Sequence, residues 1–425
     1  MPYRFPIGQI NRYLLHKQHL IPFPQGRDVL SVVRNSGPIR GAPPMTPYIS
    51  LWARVANLRR EQLDAALYQE RTLVRLPCMH ARLYIIPSAA SPAYYQASRA
   101  LLQEGLHDLD LVLAEACRNT DGFGPEPSLG SEDLARRVLE VMSTQGPCTI
   151  EELAEFLPEL KTRLYHDPDD PELGYSLLGT RLLPAMCAEG LLARARPRGG
   201  WRSSLYSYAT WSSWLPEIDL YSVSPEEARK QVVLDYITAF GPVTIGDIAQ
   251  WLGGLRRQEI VSTLMDLDVR LTRVQISGLP GDYLMLQEQV DALARTKAND
   301  PVVCLLPPRD SYTMAYSDGR RFVAEPYQGR VFDRAGESVG TVWLSANGDD
   351  PMVMGVWYLQ PHDERILVRL FEPVSPEALA DIGETAYRLA QFIGFPTFDI
   401  DMRTFVEEEA EIPPISAMPT GHLCC

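Results

Sequence analysis

A chain of 425 residues, 45% hydrophobic and 22% charged, has the composition of a globular protein and the length for more than one domain. The formal net charge of −14 argues against a surface that is basic throughout. No apolar run approaches the ~20 residues a membrane helix needs, and Met1–Pro6 lacks the apolar core of a signal peptide, so a soluble cytoplasmic protein is expected. The seven cysteines are scattered, with no Cys-x-x-Cys pair, which argues against a disulfide framework and a structural zinc site. Neither a metal nor a cofactor is expected.

In chain order, residues 1–22 read as a first helix, with Ile7, Ile10, Tyr13 and Leu14 spaced for one face. A short apolar segment follows, Val29–Val33. The stretch Gly37–Arg54 then runs from a loop rich in proline and glycine straight into a helix from Pro47 to Leu58. Its prolines stiffen the loop, and Ile49, Trp52 and Val55 would face a core with Arg54, Arg59 and Arg60 on the other side. A stiff loop at a helix N-terminus beside arginines can hold an anion such as phosphate; it can equally be a plain connector. Another helix opens at Arg59 and runs through Leu67. Thr72–Leu76 and Ala81–Pro87 read as two strands, giving the helix–helix–strand–strand order of a winged helix.

The clearest signal is an internal repeat. Gly146-Pro147-Cys148-Thr149-Ile150-Glu151-Glu152-Leu153-Ala154 returns 95 residues later as Gly241-Pro242-Val243-Thr244-Ile245-Gly246-Asp247-Ile248-Ala249. Gly-Pro ends one helix, threonine caps the next, and Glu152 or Asp247 stands in its first turn, as in a helix-turn-helix. Each copy follows an amphipathic helix (Leu134–Met142; Val232–Thr238) and precedes another (Leu177–Ala188; Gln258–Asp266). Each then enters a strand pair: Leu191–Arg194 with Leu205–Tyr208, and Leu271–Ile276 with Tyr283–Leu286. Near Asp300 the character changes, with strands expected from Pro301 up to the turn at Pro307-Pro308 and at Val339–Leu344, Val353–Leu359 and Ile366–Phe371, and a helix at Ser375–Ile393. The expected fold is α+β: winged helices over 1–125, 126–220 and 221–297, a β-rich domain with a helix over 298–403, and an acidic, proline-containing tail over 404–425 that ends in Cys424-Cys425.

Charge is unevenly spread. Between Arg54 and Arg99 seven arginines face three acids, and Arg194, Arg196, Arg198 and Arg202 stand on one predicted hairpin with no acid among them. The acids gather instead at Asp167–Asp170 and Glu407–Glu409. Arginine hairpins of this kind grip phosphate and enter minor grooves; a solvated hairpin is the alternative. Arg75, His80 and Arg82 form a second basic cluster, in which His80 is a phosphate or base contact or simply a surface residue. After the strand ending at Leu306, Pro307-Pro308 would project Arg309 and Asp310. Asp310 is then either a general base or, as we favour, the partner of Arg309 or a helix cap.

The segments Thr46–Arg54, Leu73–Arg75 with Met79–Pro87, Leu305–Tyr312 and Gly355–Trp357 are similar to those of the bacterial winged-helix DNA glycosylases that excise bulky alkylpurines and unhook interstrand crosslinks, including the azinomycin-resistance type. The resemblance covers most of residues 5–395 and implies three tandem winged helices and a β-rich domain around duplex DNA. A monomer is expected, with duplex DNA, damaged or undamaged, as its partner, in the cytoplasm and at the nucleoid if it binds DNA. The family's catalytic Gln-x-Gln or Gln-x-Asp falls at Arg40-Gly41-Ala42, so both polar positions are substituted. No Gln or Asp lies between Asp28 and Gln62 to replace them. The resemblance therefore implies a DNA-binding protein with altered or absent catalysis. Arg54, Arg75, His80, Arg82, Arg194, Arg196, Arg198, Arg202 and Arg309 are its expected DNA contacts. An active glycosylase using Asp310 and a winged-helix transcription regulator are the two alternatives.

Overall fold

The computed structural model describes residues 3–21, 28–102, 109–111, 113–114, 130–165, 174–297, 301–345, 350–360, 365–394 and 399–405. The acid clusters at 167–170 and 407–409 and the terminal cysteines lie outside these residues. Contacts divide the described residues into two units: those within 3–40, 45–59 and 233–405 in the first, those within 41–44 and 60–232 in the second. The fold is mixed α and β, with small sheets in both.

The first unit is built on a five-stranded sheet. Val302–Leu306, Gly340–Ser345, Met352–Gln360 and Arg365–Leu370 pair antiparallel in that order, and Asp399–Thr404 adds in parallel to the last. The strand Asp399–Thr404 begins inside what the sequence reads as the end of the domain. Alternating Val, Ile and Leu bury the inner face. The helix Pro376–Ile393, capped by Ser375, lies over Val302–Leu306. Trp343 and Trp357 are fully buried, and Tyr312 and Phe322 each stand 5.1 Å from the Trp343 ring. Trp357 fits because residue 340 is glycine: a Cβ there would sit 2.6 Å from the Trp357 carbonyl. A smaller sheet joins Leu271–Ile276 to Tyr283–Leu286 and, in parallel, to Tyr3–Phe5. The first helix is thus shorter than the periodicity suggests, Ile7–Lys17, because Pro6 starts it and the preceding residues pair as a strand.

The second unit has a core of leucines from Leu109 to Leu192 closed by Tyr206 and Tyr208. Its hairpins are Leu73–Pro77 with Leu83–Pro87, Arg163–Tyr165 with Tyr175–Leu177, and Leu192–Pro197 with Tyr206–Thr210.

The repeat has one local geometry in both copies. Thr149 and Thr244 close full capping boxes with Glu152 and Asp247. The residue between proline and threonine makes a lone antiparallel bridge to the second strand of the hairpin that follows: Cys148 to Tyr208, and Val243 to Leu284. The second copy thus runs helix, bridge, helix, helix, strand, strand, and the first has the same order with the hairpin Arg163–Tyr165 and Tyr175–Leu177 inserted between its second and third helices. The repeated residues are the ones that end, cap and bridge, so the repetition in sequence is a repetition of local structure.

Candidate functional site

Arg40, at the first motif position, follows the helix Val29–Ser36, which Asp28 caps, and a turn at Gly37 with φ +83°. Only glycine accepts that φ readily. A Cβ at Gly37 would also come within 3.1 Å of the Phe240 ring. The Arg40 backbone N–H donates to Ser311 Oγ at 3.2 Å. Its guanidinium stands 3.6 Å from Glu337 Oε1, with 12% of each side chain exposed. The other Glu337 oxygen receives Arg309 Nε. Arg309 itself has φ +60° and is pinned by its N–H, which donates to Ser338 O and Oγ. Gly41, the middle motif residue, donates its N–H to Leu83 O at 2.7 Å, and a Cβ there would press on that carbonyl at 3.1 Å. Ala42, at the last motif position, is half-buried and brings no polar side chain.

Beside Arg309 the chain turns inward. Trp357 Nε1 donates to Leu306 O at 2.7 Å and fixes the end of the strand from which Pro307 and Pro308 depart. Asp310 is fully buried. One carboxylate oxygen accepts from Arg54 Nη2 at 2.7 Å and the Tyr312 N–H at 3.0 Å; the other accepts from Ser50 Oγ at 2.6 Å and Arg54 Nη1 at 2.9 Å. With both oxygens doubly bonded and no solvent at hand, Asp310 has no lone pair directed at a substrate. The sequence places Asp310 outside with Arg309; it pairs instead with Arg54, reached from a helix that spans Thr46–Trp52 rather than Pro47–Leu58.

Several expected DNA contacts therefore need correction. Arg54 is 6% exposed and Arg75 is 2% exposed. Burying a guanidinium demands partners, and each has them. Arg75 donates to the Tyr68 hydroxyl and lies 5.3 Å from the Tyr206 ring. Arg196 covers Tyr68 at 5.2 Å and half-buried Arg194 covers Tyr206 at 5.4 Å, so arginines and tyrosines alternate through one stack. Burial holds the Tyr68 hydroxyl above its ordinary range despite Arg75. Arg54 and Arg75 are framework.

The tip of the same hairpin does face solvent. Arg196, Arg198 and Arg202 are exposed, and positive φ at Gly199 and Gly200 makes the turn. Arg196 lies 3.7 Å from Asp64, and Arg198 pairs with Glu152 of the Thr149 capping box. The Trp201 ring has Arg60 at 5.2 Å and Arg202 at 5.4 Å. His80 and Arg82 are also exposed, and His80 has φ +55°. The structure thus brings Arg40 to Arg309, and Arg196 to Arg198 and Arg202, and moves Arg54 and Arg75 inside.

Sequence reasoning missed Ser50 and Glu337. Ser50 stands one helical turn before Arg54, a spacing that puts both on one face. Glu337 follows Asp333-Arg334-Ala335-Gly336, a recognisable turn, but nothing in that turn names its arginine partners.

Among the described residues no group of three or more His, Cys, Asp or Glu side chains could hold a metal ion. Cys187 and Cys304 are buried, which pushes their thiols up to about 11 and about 12. No helix among the described residues is long and apolar enough to cross a membrane.

The model of the family described as DNA glycosylase AlkZ-like matches residues 33–392. No curated protein matches the chain. Among solved structures it is similar to the Streptomyces sahachiroi DNA glycosylase AlkZ, with a TM-score of 0.67 and 18% identity over 94% of this chain and 100% of that one. At that identity the likeness speaks for the fold alone. Because the family model spans most of the sequence, from the helix before Arg40 to the last turn of the helix over the five-stranded sheet, the chain belongs to the AlkZ-like DNA glycosylase family.

Proposed function

We propose that the protein binds duplex DNA through winged-helix modules and does not cleave N-glycosidic bonds by a carboxamide or carboxylate at the usual motif. One observation carries this reading: the motif positions hold Arg40, paired with Glu337, and Ala42, which has nothing to offer a water molecule. Excision of an alkylated purine passes through a sugar with cationic character, which a carboxylate or amide oxygen stabilises. A guanidinium does the reverse. At about 4 Å and an effective dielectric near 20, two like charges repel by about 4 kcal/mol, roughly a thousandfold in rate. Glu337 offsets part of this, and Ala42 adds nothing to recover it.

The two repeat copies, each with a capped helix and a bridge to the following hairpin, support the winged-helix reading. The exposed arginines of the 194–202 hairpin supply phosphate contacts on a chain that is acidic overall. A glycosylase using Asp310 draws no support from a carboxylate that is fully buried and fully bonded.

The test measures anisotropy of labelled duplexes, undamaged and carrying N7-alkylguanine, across a salt series, with base release followed in parallel. Affinity that falls with salt, and no released base, is the expected result. Release of base would overturn the non-catalytic reading. Absence of binding at low salt would remove DNA as the partner. Binding confined to one undamaged sequence would point to a regulator instead.

A further inference from the structure

Glu337 is an acid held between two arginines, Arg40 and Arg309. Its two carboxylate oxygens go to different guanidiniums, Oε1 to Arg40 at 3.6 Å and Oε2 to Arg309. The cluster carries two positive charges against one negative. It is partly open, with 33% of the Arg309 side chain exposed and 12% of the other two.

Each partner is fixed by its backbone. Glu337 closes a tight turn in which Asp333 Oδ1 accepts from the Ala335 and Glu337 N–H groups, both at 2.8 Å, and the Asp333 N–H donates to Glu337 O at 3.0 Å. Arg309 is kept at positive φ by two acceptors on Ser338. Arg40 is tied to Ser311 through its own N–H. Hydrogen bonds hold the three backbones, and the side chains meet where Arg309, a third exposed, opens the pair to solvent.

A phosphodiester presents the same fork of two oxygens as a carboxylate, and guanidinium groups bind both in the same manner. Resting on the DNA-binding reading above, we propose that Arg40 and Arg309 form a binding site for one backbone phosphate, which Glu337 fills from within until DNA displaces it. The residue that replaces the family's catalytic glutamine then serves to hold the strand, and Glu337 sets the salt and affinity range in which it does so.

Glu337→Gln keeps the turn and the shape and removes the competing charge. In the full-length protein, with an undamaged labelled duplex, it is expected to tighten binding about tenfold at low salt and to steepen the slope of log K against log salt by about 0.9, one phosphate's worth. The gain must disappear in Arg40→Ala/Glu337→Gln and in Arg309→Ala/Glu337→Gln. Glu384→Gln removes a charge from an exposed position on the helix Pro376–Ile393 and measures the general effect of net charge. Circular dichroism melting checks each fold. If Glu337→Gln melts early, Arg309→Ala alone gives the reading in the opposite sense, a flatter slope and weaker binding. A Glu337→Gln gain no larger than that of Glu384→Gln, or one that survives loss of either arginine, overturns the site while leaving DNA binding in place. If neither wild type nor variant binds at low salt, DNA binding itself fails, and the site with it.

Discussion

Replacing Asp310 separates a framework carboxylate from a catalytic one. Its side chain and that of Arg54 are 1% and 2% exposed, and it accepts four hydrogen bonds within 3.0 Å. Truncating one member of such a pair leaves the other charge buried without compensation, a loss of about 3–5 kcal/mol. Asp310→Ala should show all of it. Asp310→Asn keeps the shape and a carbonyl acceptor for Ser50 or Tyr312, but turns the charged contact to Arg54 into a neutral or repulsive one. Hydrogen bonds to charged groups contribute about 1.5–3 kcal/mol, and that range is the expected cost of the amide. At about 2–4 °C per kcal/mol for a unit of this size, the melting point falls by roughly 3–12 °C for the amide and further for alanine. Calorimetric melting of the full-length variants reads the shift. Arg54→Met/Asp310→Leu removes both charges and should recover most of the loss. An Asp310→Asn protein that melts with the wild type would refute the framework role. Such a protein that also lost a base-release activity would restore Asp310 as a catalytic residue.

Four further outcomes follow from the same structure. Arg40→Gln/Ala42→Gln returns the family's polar motif and should produce base release from an N7-alkylguanine duplex where wild type has none; a silent double variant would show that more than the motif has been lost. Arg196→Ala/Arg198→Ala should weaken DNA binding and flatten the salt slope by about 1.8 for two phosphates, and an unchanged anisotropy titration would remove the hairpin from the interface. Thr149→Ala and Thr244→Ala should each cost about 1 kcal/mol in urea unfolding, the ordinary worth of a cap. Asp247→Ala should cost more than Glu152→Ala, because Asp247 also accepts from Ser317 N and Oγ; equal losses would contradict this. Burial lowers the Lys17 ammonium to about 7, against a weaker opposing pull from Glu288. A folded pKa below the unfolded one means the unfolded chain binds more protons between about 7 and 10.5, so this contribution to stability rises with pH across that window. Lys17→Met should flatten that rise in a melting series, and an identical pH profile would show that the amine stays charged.

The parts of the fold that could be read in the sequence are those set by local chemistry. Gly-Pro-x-Thr with an acid three residues after the threonine specifies a helix stop and a capping box wherever it occurs, and both copies form one. The strands Val302–Leu306, Leu271–Ile276 and Tyr283–Leu286 fall where their apolar runs stand. The site was legible only in part because charge carries no sign of burial. In a helical pattern Arg54 looks like a polar-face residue, and it lies inside because Asp310, 256 positions away, comes to meet it. Arg75 sits in an apolar strand for the same kind of reason, its guanidinium satisfied by Tyr68 and Tyr206. Pairings of this range depend on the tertiary fold, and no periodicity of 2 or 3.6 encodes them.

That distinction bears on what the family likeness can carry. The segment Thr46–Arg54 and the run Leu305–Tyr312 give the chain its most recognisable similarity, and the structure makes them two sides of one contact: Ser50 and Arg54 on one, Asp310 on the other. In this chain they form a buried pair that holds a helix end against a strand end. We propose that chemistry, where the family performs it, belongs instead to the positions of Arg40 and Ala42, so that a scaffold contact and a reactive position can vary separately. Arg40 is chemically suited to holding an anion, and Glu337 already occupies it in that way.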